Sequence, residues 1–199
     1  MNKDRYISFC HRCYHTWKRR NEKQPKVCPK CKSPYWYKPR KRAVKELILK
    51  LKEDIIQIHN SIIRESGGII GVRDDAGIYN SIYKFLNYQY RHQKDATGLG
   101  AFILNEFAKR HYFNDGNKRT AYAIAKIFML INRCHFQMEY SQAIPFILEV
   151  AKYGSKIEFN DIREQLKKDC KTIDEKDIKE YLKDVLVNLI IEVKENGEE

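Results

Sequence analysis

The sequence predicts an all-α domain preceded by a small cysteine-rich module. Three observations support this division. Basic residues are concentrated near the N-terminus, four cysteines stand there in two close pairs, and the rest of the chain repeats apolar residues at helical intervals. A chain of 199 residues is long enough for one sizeable core and a small attached module.

The positive charge of the protein belongs to its N-terminus. Residues 1–42 contain 14 Lys or Arg and 2 acidic residues, whereas the other 157 residues contain 24 basic and 24 acidic side chains. The net charge of +12 therefore comes from the first module. We expect the two modules to have different partners.

The composition argues against a disordered or membrane-spanning chain. Hydrophobic residues make up 43% and charged residues 32% of the sequence, values typical of soluble globular proteins. No apolar run approaches the ~20 residues that span a bilayer, and no apolar signal segment follows the first residues. These features predict a cytoplasmic protein without membrane contact.

Two Cys-x-x-Cys pairs, Cys10 with Cys13 and Cys28 with Cys31, predict a structural zinc site. Pairs at this separation supply the four thiolates of a tetrahedral Zn²⁺ site. Two disulfides are the alternative, which a reducing cytosol disfavours. Four protein ligands leave no position for a catalytic water, so the metal would replace the core that so small a module cannot build.

Aromatic residues are interspersed among the basic ones in this module. They are Phe9, Tyr14, Trp17, Tyr35, Trp36 and Tyr37. Two interpretations stay open: the rings and charges bind nucleic acid by stacking and phosphate contacts, or the rings form a small core that the basic residues keep soluble. The run Cys-Pro-Lys-Cys-Lys-Ser-Pro-Tyr-Trp at 28–36 resembles prokaryotic zinc ribbons, which contact nucleic acids and proteins alike.

Helices are predicted after a basic linker at residues 39–45. Apolar residues at three- and four-residue steps predict a first helix that ends at Gly67-Gly68, and a second that begins near Asp75. Residues 87–95 lack a helical period and predict a loop or a short hairpin, and alternating strand patterns are nearly absent. Further helices are predicted at about 99–107, 118–132, 141–153, 159–168 and 174–195. The last would pack on its own domain or, alternatively, contact a second copy or an antitoxin.

The run His111-Tyr112-Phe113-Asn114-Asp115-Gly116-Asn117-Lys118-Arg119-Thr120-Ala121 lies between two predicted helices. Its turn-forming residues directly precede a strong helix, whose unbonded N–H groups and dipole attract anions. Gly116 permits close backbone approach, while Lys118 and Arg119 add charges suited to phosphate oxygens. Asp115 can hold Mg²⁺, and His111 can accept a proton near neutral pH.

Each of these features also occurs without any function. Asp-Gly is a common hairpin turn, a Lys-Arg pair is a common solvated helix surface, and a lone His near a helix end is usually structural. Their order and density favour a site for nucleotide phosphates. A Gly-x-x-x-x-Gly-Lys-Ser/Thr run is absent, which excludes a P-loop.

Residues 111–121 resemble the signature of the Fic/Doc family. The Fic form is His-x-Phe-x-Asp/Glu-Gly-Asn-Gly-Arg, and the Doc ("death on curing") form is His-x-Phe-x-Asp-Ala/Gly-Asn-Lys-Arg-Thr-Ala. Lys118, Thr120 and Ala121 favour Doc, as does the run Gly67-Gly68-Ile69-Ile70-Gly71-Val72-Arg73-Asp74. The likeness implies an all-α Fic/Doc helical domain at 46–171, preceded by a zinc ribbon at 1–38 and followed by a helix and tail at 172–199.

The resemblance implies a nucleotide-dependent transferase. His111 would activate the hydroxyl of a protein target, and Asp115 would orient that target or bind Mg²⁺. Phosphate oxygens would be held by the loop and the first helical turn, that is, by Asn114, Gly116, Asn117, Lys118 and Arg119. The loop at 88–95 would be a flap that aligns the target peptide.

Two positions depart from the Fic pattern. Lys118 stands where Fic proteins have their second Gly, and in those proteins the Gly leaves room for the α-phosphate in AMP transfer. Tyr122 takes the place of the second Arg. In Doc proteins the Lys accompanies reversed nucleotide placement and transfer of the γ-phosphate from ATP or another nucleotide triphosphate. The likeness to Doc implies a toxin that phosphorylates a Thr of a translation elongation factor and an antitoxin acting in trans. AMP transfer and a non-catalytic nucleic-acid-binding regulator stay as alternatives.

Overall fold

The computed structural model describes residues 7–19, 23–38, 40–91, 95–179 and 181. The chain divides into two compact units, Met1–Lys50 and Leu51–Glu199. The elements, in chain order, are β1 Ile7–Phe9, β2 Thr16–Lys18, α1 Lys41–Ser66, α2 Asp75–Arg91, α3 Ala96–Lys109, α4 Asn117–Ile131, β3 Cys134–Phe136, α5 Tyr140–Ala151, α6 Phe159–Lys168, β4 Cys170–Thr172 and a 3₁₀ turn at Glu175–Asp177. This is the predicted fold class, six helices preceded by a small cysteine-containing module.

The N-terminal unit contains an antiparallel hairpin and two cysteine turns. Strand β1 pairs with β2, with Ser8 opposite Trp17. Cys10, Cys28 and Trp36 form a small buried cluster against which Cys13, Trp17 and Tyr37 pack. Helix α1 already begins at Lys41, within the segment predicted as a linker. The predicted domain limits themselves stay a prediction.

In the C-terminal unit, α3 is the central helix and packs on α2, α4, α5 and α6. An added Cβ at Gly100 would lie 2.4 Å from Met129 Sδ and 3.2 Å from Leu166 Cδ1, so α3 approaches α4 and α6 closely there. Asp95 caps α3 by accepting a hydrogen bond from the Gly98 N–H. This cap and the packing on four helices fix the position of α3, which ends just before residue 111.

Helix α2 is longer than the sequence predicts. Residues 87–91 belong to the helix, so the predicted loop at 87–95 is wrong over this stretch. The reason is tertiary packing, since the ring of Tyr88 stacks on Phe102 with centroids 5.4 Å apart. Residues 92–94, the middle of the predicted flap, lie outside the described residues.

A short antiparallel pair, β3 with β4, was not predicted. Each strand has only three residues, which is too short to show an alternation of apolar and polar side chains. The two strands are also far apart in the chain. Cys134 and Cys170 form a disulfide between these strands, with Cα atoms 5.6 Å apart. Neither cysteine belongs to a Cys-x-x-Cys pair, so the sequence motifs gave no reason to join them.

The predicted helix at 174–195 falls largely outside the described residues. Its first part is described, and Ile178 and Tyr181 pack against the buried Leu130 and Ile173. Among the described residues, no helix combines the length and apolarity required to cross a lipid bilayer.

Candidate active site and metal centre

The loop between α3 and α4 carries the residues that the sequence singles out. His111 is exposed, whereas Phe113, two residues further on, is almost fully buried. The Asn117 side chain closes the loop, because its Oδ1 accepts from the Phe113 N–H and its Nδ2 donates to the Phe113 carbonyl, both at 2.9 Å. The Asn117 amide therefore shapes the loop and is occupied by the loop's own backbone.

The glycine-rich segment at 67–74 lies directly on this loop. Val72 and Phe113 form an antiparallel bridge, and the Asn114 N–H donates to the Gly71 carbonyl at 3.0 Å. The N–H groups of Arg73 and Asp74 both donate to the Tyr112 carbonyl, at 2.7 and 3.1 Å. The two motifs that the sequence presents some forty residues apart thus form one surface.

The start of α4 is open to an anion. Gly116 adopts a left-handed conformation with φ 63°, and no side chain caps the helix. The first hydrogen bond of the helix joins the Thr120 N–H to the Gly116 carbonyl at 2.9 Å. The N–H groups of residues 117–119 precede that bond, so they and the helix dipole face outward together.

Asp115 and Arg119 form an ion pair at this helix start, with Oδ1 and Nη2 3.5 Å apart. The Asp115 side chain is 45% exposed and the Arg119 side chain 13%. Arg119 Nη1 also donates to the Ser66 carbonyl and hydroxyl, at the last residue of α1, and to the Gly67 carbonyl directly after it. Arg119 therefore ties the C-terminus of α1 to the loop, where a guanidinium also satisfies the negative end of the helix dipole.

Lys118 and Tyr122 lie in very different surroundings. Lys118 is exposed on the first turn of α4. Tyr122 is fully buried, and its hydroxyl donates to the Met138 carbonyl at 2.6 Å. The position where the Fic pattern has a second Arg is thus occupied here by a core residue.

His59 on α1 is a residue that the sequence analysis missed. It is fully buried beneath the loop, with its ring stacked on Phe113 at 3.8 Å and its Nδ1 3.0 Å from the Thr120 hydroxyl. Its Nε2 is buried and has no hydrogen-bond partner. Burial, reinforced by the positive charge of Arg119, lowers the pKa of His59 to about 4. A polar residue within the apolar stripe of α1 is the signal that the sequence offered.

Tyr112 anchors the loop beside His111. Its hydroxyl contacts the Ser81 hydroxyl and lies 3.4 Å from Glu106 Oε1. The same carboxylate accepts from Ser81 at 2.9 Å and pairs with Lys84 at 3.2 Å. Burial raises the pKa of Tyr112, and the Glu106 carboxylate raises it further, so the hydroxyl stays protonated and able to donate.

This polar network borders a cavity of about 200 Å³ that His111 lines together with Asp74, Asn80 and Arg110. Asp74 also accepts from the Gly77 N–H at 2.7 Å and so caps α2. Most of the residues that line the cavity are polar or charged.

The four predicted metal ligands lie together in the N-terminal unit. The sulfurs of Cys10, Cys13, Cys28 and Cys31 are all within 4.8 Å of one another, and the Cys10–Cys31 and Cys13–Cys28 sulfurs are 3.7 Å apart. Tetrahedral Zn²⁺ with Zn–S bonds of about 2.3 Å requires sulfur separations of about 3.8 Å. N–H groups at Arg12 and Cys31 point at two of the sulfurs. The residues therefore fit a tetrahedral metal ion.

Part of the helical unit matches a known protein family. Residues 49–129 match the model of the Fic/DOC family, and the matched region runs from α1 through α2 and α3 to most of α4. Over these residues the helical unit is therefore similar to Fic/DOC proteins. No curated protein matches the chain.

Proposed function

We propose that the helical domain transfers the γ-phosphate of a nucleotide triphosphate to a Ser or Thr hydroxyl of a protein, in the manner of Doc. One observation carries the proposal. The exposed Lys118 lies on the first turn of α4, at the position where the Fic pattern has Gly. The buried Tyr122 occupies the position of the second Arg of that pattern. A charged side chain there occupies the space that the α-phosphate needs for AMP transfer.

In the proposed reaction, the His111 imidazole accepts the proton of the target hydroxyl. The hydroxyl oxygen attacks the γ-phosphorus, and the bond from that phosphorus to the β–γ bridging oxygen breaks. The electron pair leaves on that oxygen with the nucleotide diphosphate. The imidazolium then releases its proton to solvent or to the diphosphate, which restores the base.

Phosphate binding is assigned to the start of α4. The N–H groups of residues 117–119 and the Lys118 ammonium would hold phosphate oxygens, with the side chain of Asn114 at the edge of the loop. Asp115, half exposed beside the glycine-rich segment, fits Mg²⁺, which binds through one or two carboxylates together with substrate phosphates. Bound Mg²⁺ would neutralise charge that develops on the phosphates. We assign Arg119 mainly to holding this arrangement, because three of its acceptors lie at the end of α1.

Partners and metal follow from the family likeness and from the cysteine cluster. The likeness to Doc supports a protein target, with a translation elongation factor as the first candidate, and an antitoxin acting in trans. The sulfur separations support a structural Zn²⁺ held by Cys10, Cys13, Cys28 and Cys31.

The test compares ATP labelled at the γ- or the α-phosphate, incubated with the protein, Mg²⁺ and a cell extract. We expect protein-bound label from the γ-position only, and its loss in His111→Ala. Because His111 is exposed, that variant should unfold at the same temperature as the wild type. Label from the α-position only would establish nucleotidyl transfer instead.

Lys118→Gly sharpens this test because it restores the Fic residue without touching the core. We expect it to abolish γ-transfer. The same loss in Lys118→Ala would mean that the charge is required, and full γ-transfer in either variant would contradict the proposal. Absence of label in the wild type, together with His111→Ala acting like the wild type in cells, would leave a non-catalytic protein.

A further inference from the structure

The aromatic residues of the zinc ribbon separate into two groups in the structure. Trp36, Trp17 and Tyr37 pack around the buried cysteines Cys10 and Cys28. The other three lie largely outside that cluster, with exposures of 40% for Phe9, 71% for Tyr14 and 57% for Tyr35. The core interpretation of the aromatic pattern therefore accounts for only half of the rings.

The exposed rings gather around the first cysteine turn. Phe9 contacts His11 with ring centroids 5.1 Å apart and Tyr14 at 6.2 Å. The Arg12 guanidinium lies 5.8 Å from the Tyr35 ring centroid, and its Nε donates to the Tyr35 carbonyl at 3.2 Å. We call these five residues, Phe9, His11, Arg12, Tyr14 and Tyr35, the knuckle surface.

The backbone at Tyr14 is the observation that points to function. Its N–H donates to the Cys10 carbonyl at 2.8 Å, and this tight turn requires its φ of 59°, a left-handed value that costs free energy for any residue except Gly. Lys32 repeats the arrangement at the second turn, with φ 58° and a hydrogen bond of 2.9 Å to the Cys28 carbonyl. Gly would form both turns without that cost. Neither exposed side chain contributes to the core, so the fold does not explain why a ring and an ammonium stand there.

Charge selects the occupant of this surface. Residues 7–19 and 23–38 contain eight Lys or Arg and no Asp or Glu. The ligand is therefore an anion, and exposed rings beside basic groups suit unpaired bases that stack while their phosphates meet the cations. A duplex hides its bases within the stack, and an acidic peptide uses the charges but has no flat groups for three rings.

We propose that the knuckle surface binds single-stranded nucleic acid. Bases would stack on Tyr14 and Tyr35, while Arg12 on this surface and Lys32 at the second cysteine turn would contact phosphates. This site does not depend on the transfer reaction, and its ligand is different from the nucleotide at α4. A loss of nucleic-acid binding and a loss of phosphate transfer can therefore be measured separately.

The test uses the full-length, zinc-loaded protein and fluorescence anisotropy with a labelled 12-nucleotide oligouridine, an oligothymidine and a duplex of the same length. We expect single strands to bind more tightly than the duplex, with an affinity that falls steeply with salt. Tyr14→Gly is the decisive variant, because Gly relieves the backbone strain and keeps the turn. It should retain zinc and stability but lose about tenfold or more in affinity for single strands.

Two further variants test the role of Lys32 and the specificity of the binding surface. Lys32→Gly should also keep its turn, weaken binding, and reduce the slope of log affinity against log salt by roughly 0.7. Tyr153→Ala removes a fully exposed ring of the helical domain and should leave binding unchanged. Three results would overturn the proposal: wild-type affinity in Tyr14→Gly, equal affinity for the duplex, or full competition by poly-glutamate at equal charge.

Discussion

The N-terminal cysteine module, which we propose to be a zinc ribbon and call the ribbon below, and the helical domain form their cores by different means. The ribbon buries only a few groups, chiefly Cys10, Cys28 and Trp36, and depends on four thiolates that fit one metal ion. The helical domain buries apolar side chains of α3 and of the four helices that pack on it, α2, α4, α5 and α6. In the ribbon, we therefore expect function among exposed residues, whereas in the helical domain buried polar residues hold the candidate catalytic loop in shape.

Metal removal is expected to have the largest effect and to fall on one unit only. Without Zn²⁺ the ribbon loses its main source of stability, since structural zinc sites of this kind contribute about 10–16 kcal/mol of binding free energy. The protein's two tryptophans, Trp17 and Trp36, both lie in the ribbon, so their fluorescence reports on it alone. Chelation, or Cys28→Ser, should shift the emission to the red and leave most of the far-UV helical signal unchanged.

Tryptophan emission that does not change on chelation would show that the ribbon core stays folded without metal. A loss of the helical signal at the same chelator concentration would show that the two units unfold together, so that the helical domain also depends on the metal.

Replacement of His59 is expected to have the next largest effect, on stability. His59→Asn removes the ring stacked on Phe113 and should lower the free energy of unfolding by about 2–3 kcal/mol at pH 7. In the wild type the pKa falls from 6.5 to about 4 on folding, so below pH 6.5 the unfolded chain binds a proton that the folded protein does not. Stability is therefore lost as the pH falls through this window, by at most about 3 kcal/mol.

The variant lacks this titration, so its stability difference from the wild type should narrow between pH 6.5 and pH 4 in denaturant titrations. His111→Asn, at an exposed histidine, is the matched control and should leave the stability at pH 7 unaltered. A stability difference that stays constant with pH would mean that His59 takes up its proton over the same pH range in the folded protein as in the unfolded chain.

The glycine-rich segment offers a matched pair with a smaller effect. Gly67 and Gly68 both have positive φ, so Ala at either should cost about 1 kcal/mol of stability. An added Cβ meets nothing within 4 Å at Gly67, but at Gly68 it lies 2.4 Å from Asp115 Oδ2 and 3.3 Å from Arg119 Nη2. We expect Gly68→Ala to displace the Asp115 carboxylate and lower γ-phosphate transfer roughly tenfold, while Gly67→Ala keeps full activity.

Unfolding temperatures and initial rates of label transfer, measured on both variants, test this prediction. Equal activities would mean that the position of Asp115 is not critical. Equal losses would mean that flexibility of the segment, rather than contact with the ion pair, controls the rate.

The smallest expected effect concerns Tyr112. Tyr112→Phe removes the hydroxyl that contacts Ser81 and Glu106, while Glu106 keeps its bonds to Ser81 and Lys84. The free energy of unfolding should fall by about 1 kcal/mol. A double-mutant cycle with Ser81→Ala measures the coupling, and a coupling energy near zero would show that the hydroxyl does not anchor the loop.

Predictions from sequence succeeded where the relevant residues are neighbours in the chain. The cysteine pairs, the turn before α4 and most helix positions depend on spacings of a few residues, so local patterns were sufficient. The helical state of residues 87–91 was missed because the packing of Tyr88 on Phe102, and not a local period, decides it. The pairing of β3 with β4 was missed for the same reason.

The sequence alone determined the chemistry of this protein: four thiolates in two pairs, a basic ribbon, and a histidine, an acid and two cations around one glycine. Only the tertiary structure decided which groups are available. It brought Arg119 onto Ser66 across 53 residues and His59 onto Thr120 across 61 residues, and it left Lys118 and His111 exposed. The physical reason is that burial and hydrogen bonding are properties of the packed chain, since neither can be read from spacings within one helix or loop.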